Sequence, residues 1–434
     1  MTATPPPATG GWANTRLDRV ASVTARIGWK ALTADEYVPE GFVFLATPNI
    51  KSDQIDFENV NFITEFRYEE SPELKLQVGD VLLVKDGNTL GITNVIRDLP
   101  RPATVNGSIA VIRSQTMVPA FLRYVLASDF MQGRIAAYRA GMGVPHLFQA
   151  DIKKFPLPQP PLVQQQAIAD YLDAETARID ALIFRYHELV DRLMDQRAAI
   201  TVAGVSGESL AGPCRATSLS WLTEVPAHWA DVRLTVLARL GSGHTPSREH
   251  PEWWIDCTIP WITTGEVWQI RDDRIEYLID TREMISQIGL ANSSAELHPA
   301  GTVVLSRTAS AGFSAIMATD MATSQDYVTW TCGPRLRPRF LLLCLRAMRQ
   351  DLLGRLAMGS THQTIYVPDI QSIRIPLPPL EEQDQMVEWV WQRLHRIDAA
   401  VDGINRQIDL LAERRQALIT NAVTGQLEIR GVAA

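Results

Sequence analysis

The chain contains one stretch twice, and that repeat limits its possible folds more than any other feature. Asp151–Glu208 and Asp369–Gln426 align without a gap at a shift of 218 positions. Asp151, Ile152, Pro158, Pro160, Pro161, Leu162 and Gln165 fall on Asp369, Ile370, Pro376, Pro378, Pro379, Leu380 and Gln383. Arg178-Ile179-Asp180-Ala181 falls on Arg396-Ile397-Asp398-Ala399, and Arg197, Val205 and Gly207 fall on Arg415, Val423 and Gly425. Each copy reads as a proline-held extended entry followed by a long helix, with Gly204, Gly207 and Gly425 just beyond the stop. Between entry and stop a stripe runs at alternating steps of three and four. In the first copy it is Ala169, Leu172, Thr176, Ile179, Ile183, Tyr186, Val190, Leu193, Arg197 and Ile200. In the second it is Val387, Val390, Leu394, Ile397, Val401, Ile404, Ile408, Leu411, Arg415 and Leu418. A 3.5-residue period held over about five heptads is the signature of a coiled coil. A ~40-residue helix is roughly 60 Å long, too long for the core of a small domain, so each stripe needs a partner. The other copy, with the same register, is the natural one. Asp173 and Gln392 lie off the stripe and are expected to matter little to the pairing.

The flanking regions repeat more faintly. Trp12-Ala13 with Arg16-Leu17 matches Trp229-Ala230 with Arg233-Leu234, and Gly79–Lys85 matches Gly301–Arg307. Phe121-Leu122 matches Phe340-Leu341, and Gly141 matches Gly359. The offsets drift between 217 and 222, as they do when loops change length on a kept scaffold. Short β-rich runs (Phe42–Ala46, Asp80–Lys85, Ser108–Arg113) alternate with polar loops, and an amphipathic segment, Phe121–Arg139, precedes Gly141-Met142-Gly143. The reading is an α+β chain made by tandem duplication of a mixed α/β globule and a long helix, the helices pairing as an antiparallel coiled coil. Its boundaries are residues 1–150 and 216–368 for the globules, 151–208 and 369–434 for the helical spacers, and 209–215 for a linker. The struts are alike and the globules have diverged, which suggests one constant task and two different recognition tasks.

Composition excludes several classes. No apolar run approaches the ~20 residues of a membrane span, and the first residues, MTATPPPATGGW, lack the basic and apolar regions of a signal peptide. The four cysteines show neither CxxC spacing nor a metal pattern, which fits thiols in a reducing cytoplasm. The net charge of −8 divides as −1 over residues 1–150, −3 over 151–208, −1 over 209–368 and −3 over 369–434. Bulk charge therefore cannot drive nucleic-acid binding; local patches and a partner's cations would have to.

The chain resembles the specificity subunit (HsdS) family of type I restriction–modification systems. The resemblance covers nearly the full length and is carried by Pro376-Leu377-Pro378-Pro379-Leu380-Glu381-Glu382-Gln383, the Arg396-Ile397-Asp398 helix and Asn421-Ala422-Val423-Thr424-Gly425. It is carried also by Trp221-Leu222 through Val225-Pro226 and Trp229, by Gly241-Ser242-Gly243-His244-Thr245-Pro246-Ser247, and by Ile259-Pro260-Trp261-Ile262-Thr263-Thr264-Gly265-Glu266. The first copy departs at Leu162-Val163-Gln164-Gln165, and its N-terminal Trp-Pro motif is reduced to Trp12. The resemblance implies two target recognition domains, each reading half of a bipartite double-stranded DNA target, with helices that space them and dock methyltransferase subunits, two copies, and through them restriction subunits. It implies DNA methylation and phage defence, no catalysis and no cofactor in this chain, and S-adenosylmethionine, ATP and magnesium in the partners. The alternative reading is a coiled-coil scaffold joining two protein-binding domains.

The chemistry-bearing motifs agree with a non-enzyme. There is no phosphate-binding Gly-x-x-x-x-Gly-Lys-Ser/Thr loop, no lysine beyond Lys154, no Gly-x-Gly-x-x-Gly and no Asn/Asp-Pro-Pro-Tyr run for a flipped base. Pro72-Glu73-Leu74-Lys75 has the spacing of a nuclease Glu-x-Lys but no evident second carboxylate. His244 and His250, near Glu249, Glu252 and Cys257, read better as a polar recognition loop than as a metal site. Candidate DNA-reading positions are hydrogen-bonding tips at strand ends and loops: Arg26, Lys30, Lys51, Lys85, Asp86 and Asn88 in the first globule, and Ser242, His244, Thr245, Arg248, Arg307, Thr308 and Ser310 in the second. Lys85 and Arg307 occupy matching positions and are the favoured pair. Arg197 and Arg415, being in the stripe, are expected to form interhelical ion pairs.

Overall fold

The computed structural model of the chain describes residues 11–26, 32–139, 145–308, 310–358 and 364–429. They divide into two compact units, one holding the residues up to Tyr186 and those from Arg406 on, the other His187–Asn405. Each unit contains one globule and half of each of two long helices, α1 (Leu162–Ser206) and α2 (Leu380–Val423).

The two globules have the same topology. In the first, a four-stranded antiparallel sheet runs Ala21–Ala25, Ile109–Ser114, Val81–Val84, Thr93–Val95. A three-stranded sheet runs Asn61–Ile63, Phe42–Leu45, Ala103–Val105, its last pair parallel. In the second the corresponding strands are Ala238–Ser242, Tyr327–Cys332, Val303–Ser306, Ser314–Met317 and Met284–Ile285, Ile259–Ile262, Ala322–Thr323, again with one parallel pair. The second adds a fifth strand, Tyr277–Leu278, parallel to Ser314–Met317. Val81–Val84 and Val303–Ser306 are buried at every residue, as unbroken runs are when both faces of a strand are covered. A proline-initiated helix follows each main sheet, Pro119–Ala127 and Pro338–Ala347, and packs its apolar residues into the core.

The entry to each long helix explains the shared prolines and glutamine. Pro156–Gln159 pairs with Ala13–Arg16, and Arg374–Leu377 pairs with Ala230–Arg233, each as a two-stranded ribbon that proline keeps from widening. Gln165 accepts from the Val118 amide at 2.9 Å and donates to the Pro160 carbonyl at 2.8 Å. Gln383 accepts from Arg337 N at 2.8 Å and donates to the Pro378 carbonyl at 2.9 Å. Each fully buried amide thus ties the start of the long helix to the helix of its own globule. At the other end Gly207 and Gly425 take left-handed φ values of 73° and 75°, the glycine stop the spacing predicts.

All ten stripe positions of each helix are buried or half-buried, including Leu172, Ile179, Ile183, Tyr186, Val190, Leu193 and Ile200 of α1 and Val390, Ile397, Val401, Ile404, Ile408, Leu411 and Leu418 of α2. The helix halves run antiparallel in each unit. In the second unit Arg197 Nε meets Asp398 Oδ1 at 3.0 Å, and Gly204 packs on Val390. In the first, Arg415 Nε meets Asp180 Oδ1 at 2.8 Å. The duplication therefore pairs reciprocally, the stripe arginine of each copy with the aspartate of the other copy's Arg-Ile-Asp-Ala. Two expectations are corrected here. Gly204 is inside α1, not beyond its end: a Cβ there would lie 2.1 Å from Val390 Cγ2, so the glycine permits a close helix approach. Asp173 is not idle, because it accepts from Arg97 at 2.6 Å and from Tyr124 Oη at 2.7 Å; Gln392 is exposed.

Candidate nucleic-acid interface

The strand order brings most of the candidate residues to one end of each main sheet. In the first unit this end carries Arg26 after one strand and Lys85-Asp86-Gly87-Asn88 after another. In the second it carries Ser242–Thr245, Arg307, Thr308, Ser310 and the turn Ser324–Asp326. A backbone bond marks the two ends as equivalent: Leu147 N donates to the Lys85 carbonyl and Ile365 N to the Arg307 carbonyl, both at 2.8 Å. The match of Lys85 with Arg307 is thus a match in space as well as in sequence.

The first unit places several of its candidates deeper than expected. Lys85 is 7% exposed, and its ammonium is spent on Asp86 at 3.0 Å. Asp86 in turn contacts His146 Nδ1. A cation and a carboxylate after an apolar strand signal a turn but not the depth at which Asp86, in contact with the distant His146, holds Lys85. Arg26 is also 7% exposed. It donates to Ser71 Oγ at 3.4 Å and lies 5.8 Å from the Phe44 ring. Burial pulls its pKa below the ordinary arginine value, and Arg67 adds to the shift. Neither Arg26 nor Lys85 offers an exposed tip. Asn88 is exposed. Lys51 lies apart, 3.5 Å from Asp56 and lining a cleft with Phe57, Phe62 and Arg101. Lys30 and the Gly141–Gly143 and Gly359 matches fall outside the described residues.

In the second unit the candidates converge. Thr245 Oγ1 donates to Gln325 Oε1 at 2.7 Å, and Arg307 Nε donates to the Gln325 carbonyl at 2.9 Å. Thr308 Oγ1 bonds Asp326, which also accepts from Ser324 Oγ at 3.2 Å. His244 N donates to the Thr323 carbonyl at 3.0 Å, leaving its ring exposed. Ser310 N closes the loop on the Thr308 carbonyl at 2.6 Å. Ser242 is half-buried at the end of its strand, and Arg248 stands outside the cluster, over the Trp254 ring at 4.5 Å. Sequence reasoning missed His146, Gln325 and Asp326. Gln325-Asp326 between Ser324 and a β run carries a turn composition that could have flagged it; His146 carries no local signal. Such an end, rich in amides, hydroxyls and paired charges, suits hydrogen bonding to base edges better than phosphate neutralisation. Among the described residues no group of His, Cys, Asp and Glu could hold a metal, and no helix is long and apolar enough to cross a membrane.

Comparison with known proteins agrees with this organisation. The family model for the type I restriction modification DNA specificity domain matches residues 10–183 and 226–412. The EcoKI specificity subunit of Escherichia coli (strain K12) is 19% identical over 96% of this chain and 89% of its own length. The StySPI specificity subunit of Salmonella potsdam is 21% identical over 45% of this chain and 43% of its own length. Among solved structures, one described as the structural basis of complex assembly and conformational transition of the type I R-M system aligns with a TM-score of 0.68 at 20% identity, over 96% of this chain and 98% of that one. The HsdS subunit from Thermoanaerobacter tengcongensis aligns with a TM-score of 0.54 at 19% identity, over 98% and 100%. Two matches of one family model, one to each globule and its share of helix, place this chain in the type I restriction–modification DNA specificity family.

Proposed function

We propose that the chain is the non-catalytic reader of a bipartite double-stranded DNA target, each unit reading one short block. The observation that carries this is the same sheet end built twice, held by the same backbone bond, with different side chains on it. His244, Gln325 and Arg248 in the second unit and Asn88 in the first are the exposed tips that would reach base edges. Lys85 and Arg307 shape the loops rather than read them. The helix pair sets the gap between the blocks and docks two methyltransferase copies, and through them restriction subunits. Off-stripe apolar residues support that docking: Phe184 is 64% exposed and Leu410 is 55% exposed. S-adenosylmethionine, ATP and magnesium belong to those partners, and the complex works in the cytoplasm.

The test is methylation-site sequencing with the partner methyltransferase. One heptad added in phase to both helices lengthens each by about 10 Å, about three base pairs at 3.4 Å each. The gap should grow and both blocks stay. Gln325→Ala should relax only one block. A continuous target, or a block altered by the helix insertion, would overturn the proposal.

A further inference from the structure

In the second unit three arginines meet at one aspartate. Asp273 sits in a turn with a φ of 58°. Its carbonyl accepts from Arg197 Nη2 and Arg346 Nη1, both at 2.8 Å. Its carboxylate accepts from both terminal nitrogens of Arg349, at 2.7 and 2.6 Å. Arg197 is the stripe arginine of α1 that also holds Asp398 of α2. The neighbouring Arg274 reaches Asp402 of α2 at 2.6 Å. The turn leads into Tyr277–Leu278, the fifth strand, so this segment plugs the space between the sheet edge, the helix Pro338–Ala347 and the long helices.

Among the described residues the first unit has no fifth strand. The matching sheet edge is Thr93–Val95, the matching helix Pro119–Ala127, and the matching ion pair Arg415–Asp180. Between them lies an open cleft of about 360 Å³ lined by Asn94, Arg97, Arg123, Asp173, Asp180 and Arg415. Three guanidiniums again ring the space. Arg97 holds Asp173 at 2.6 Å and Arg415 holds Asp180 at 2.8 Å. Arg123 is 5% exposed, donates to the Ser52 carbonyl, and has no hydrogen-bond partner for Nε. Of these arginines only Arg415 has a counterpart by position in the second unit, Arg197; the register of the two helices puts Arg123 on Leu342 and Arg346 on Ala127. Among the described residues no aspartate turn fills this cleft.

We propose that this cleft seats a carboxylate-bearing turn of a bound protein subunit, as Asp273 fills the second unit from within the chain. This rests on the reading of the chain as a subunit that docks methyltransferase. Asp53, Asp173 and Asp180 also line the cleft and Arg97 and Arg415 are already paired, so the unpartnered Nε of buried Arg123 leaves room for one carboxylate rather than for a run of phosphates with a charge every ~1.7 Å of duplex. A single carboxylate can be gripped by guanidinium forks in two-point fashion. The two methyltransferase copies would then be held unequally, one by the open cleft and one by a face already filled.

The experiment uses the full chain with the methyltransferase subunit, followed by native mass spectrometry and a titration of the second copy. Ala177→Glu puts a carboxylate on α1 at the cleft itself, Arg97→Glu reverses a rim charge, and His395→Glu is the matching control on α2. Ala177→Glu should hold or raise the melting temperature of the isolated chain. Both cleft variants should weaken one copy at least tenfold, leaving one-to-one complexes, while His395→Glu keeps two. Should Ala177→Glu not fold, Arg97→Glu, 57% exposed, carries the test alone. Two copies retained at unchanged affinity would overturn the proposal, and so would a loss of DNA affinity with both copies kept. A parent chain that binds no methyltransferase would instead overturn the functional reading, and the cleft proposal with it.

Discussion

The reciprocal ion pairs allow one interaction to be tested twice in a single molecule. Asp398→Asn removes the charge facing Arg197, and Asp180→Asn removes the charge facing Arg415. The chemistry is the same and the burial is not. Side-chain exposure is 7% and 13% for Arg197 and Asp398, against 17% and 38% for Arg415 and Asp180. Breaking a buried pair from one side costs about 3–5 kcal/mol, because the remaining charge is stranded. Arg197 keeps its bond to the Asp273 carbonyl, so the lower end, about 3 kcal/mol, applies to Asp398→Asn. A pair with one well-exposed partner is worth about 1 kcal/mol or less. Hydrogen exchange on the full chain resolves the two sites. The α1 and α2 amides around Arg197 and Asp398 should exchange about a hundredfold faster in Asp398→Asn. Those around Asp180 and Arg415 should change by less than about tenfold in Asp180→Asn. Replacing both partners, Arg197→Met with Asp398→Leu, should recover most of the loss. Equal effects at the two sites, or a double variant worse than the single, would refute the reasoning.

Other outcomes follow from the packing and the thiols. Ile397→Asp buries a charge in the stripe and should destabilise by several kcal/mol, whereas Gln392→Asp, exposed on the same helix, should shift the urea midpoint hardly at all. Gly204→Val should cost about 1–3 kcal/mol by overpacking against Val390, read from thermal unfolding. Burial pushes the Cys332 thiol up to about 12 and the fully buried Cys344 well above its usual value. At pH 8 both are therefore held as thiols, and a disulfide reagent should modify exposed Cys214 quickly, half-buried Cys332 slowly and buried Cys344 only on unfolding.

The helix pair was legible because a long period is self-checking: each stripe runs through about five heptads, and the two share a register. The topology of the globules was legible only as a faint echo, since drifting loop lengths hide strands of three or four residues. The equivalence of Lys85 and Arg307 survived because both end a fully buried strand. Their accessibility did not, because the depth of Lys85 is set by Asp86 and His146, sixty positions apart in the chain. The Asp273 turn was invisible for the same reason: its arginines lie 73 to 76 positions away. Gly204 read as a stop because glycine usually marks one, and only the facing Val390 shows that it is a point of close approach.

Reciprocal pairing also bears on assembly. A helix whose contacts with its partner are repeats of that partner's contacts with it can recognise a copy of itself. Nothing on α1 tells the α2 of its own chain from the α2 of a neighbour. The covalent connection alone decides, by raising the local concentration of the right helix to the order of millimolar. A dilute chain folds onto itself. On a crowded polysome, where a neighbour's helix can approach that concentration, exchange between chains gives a swapped dimer with every native contact intact.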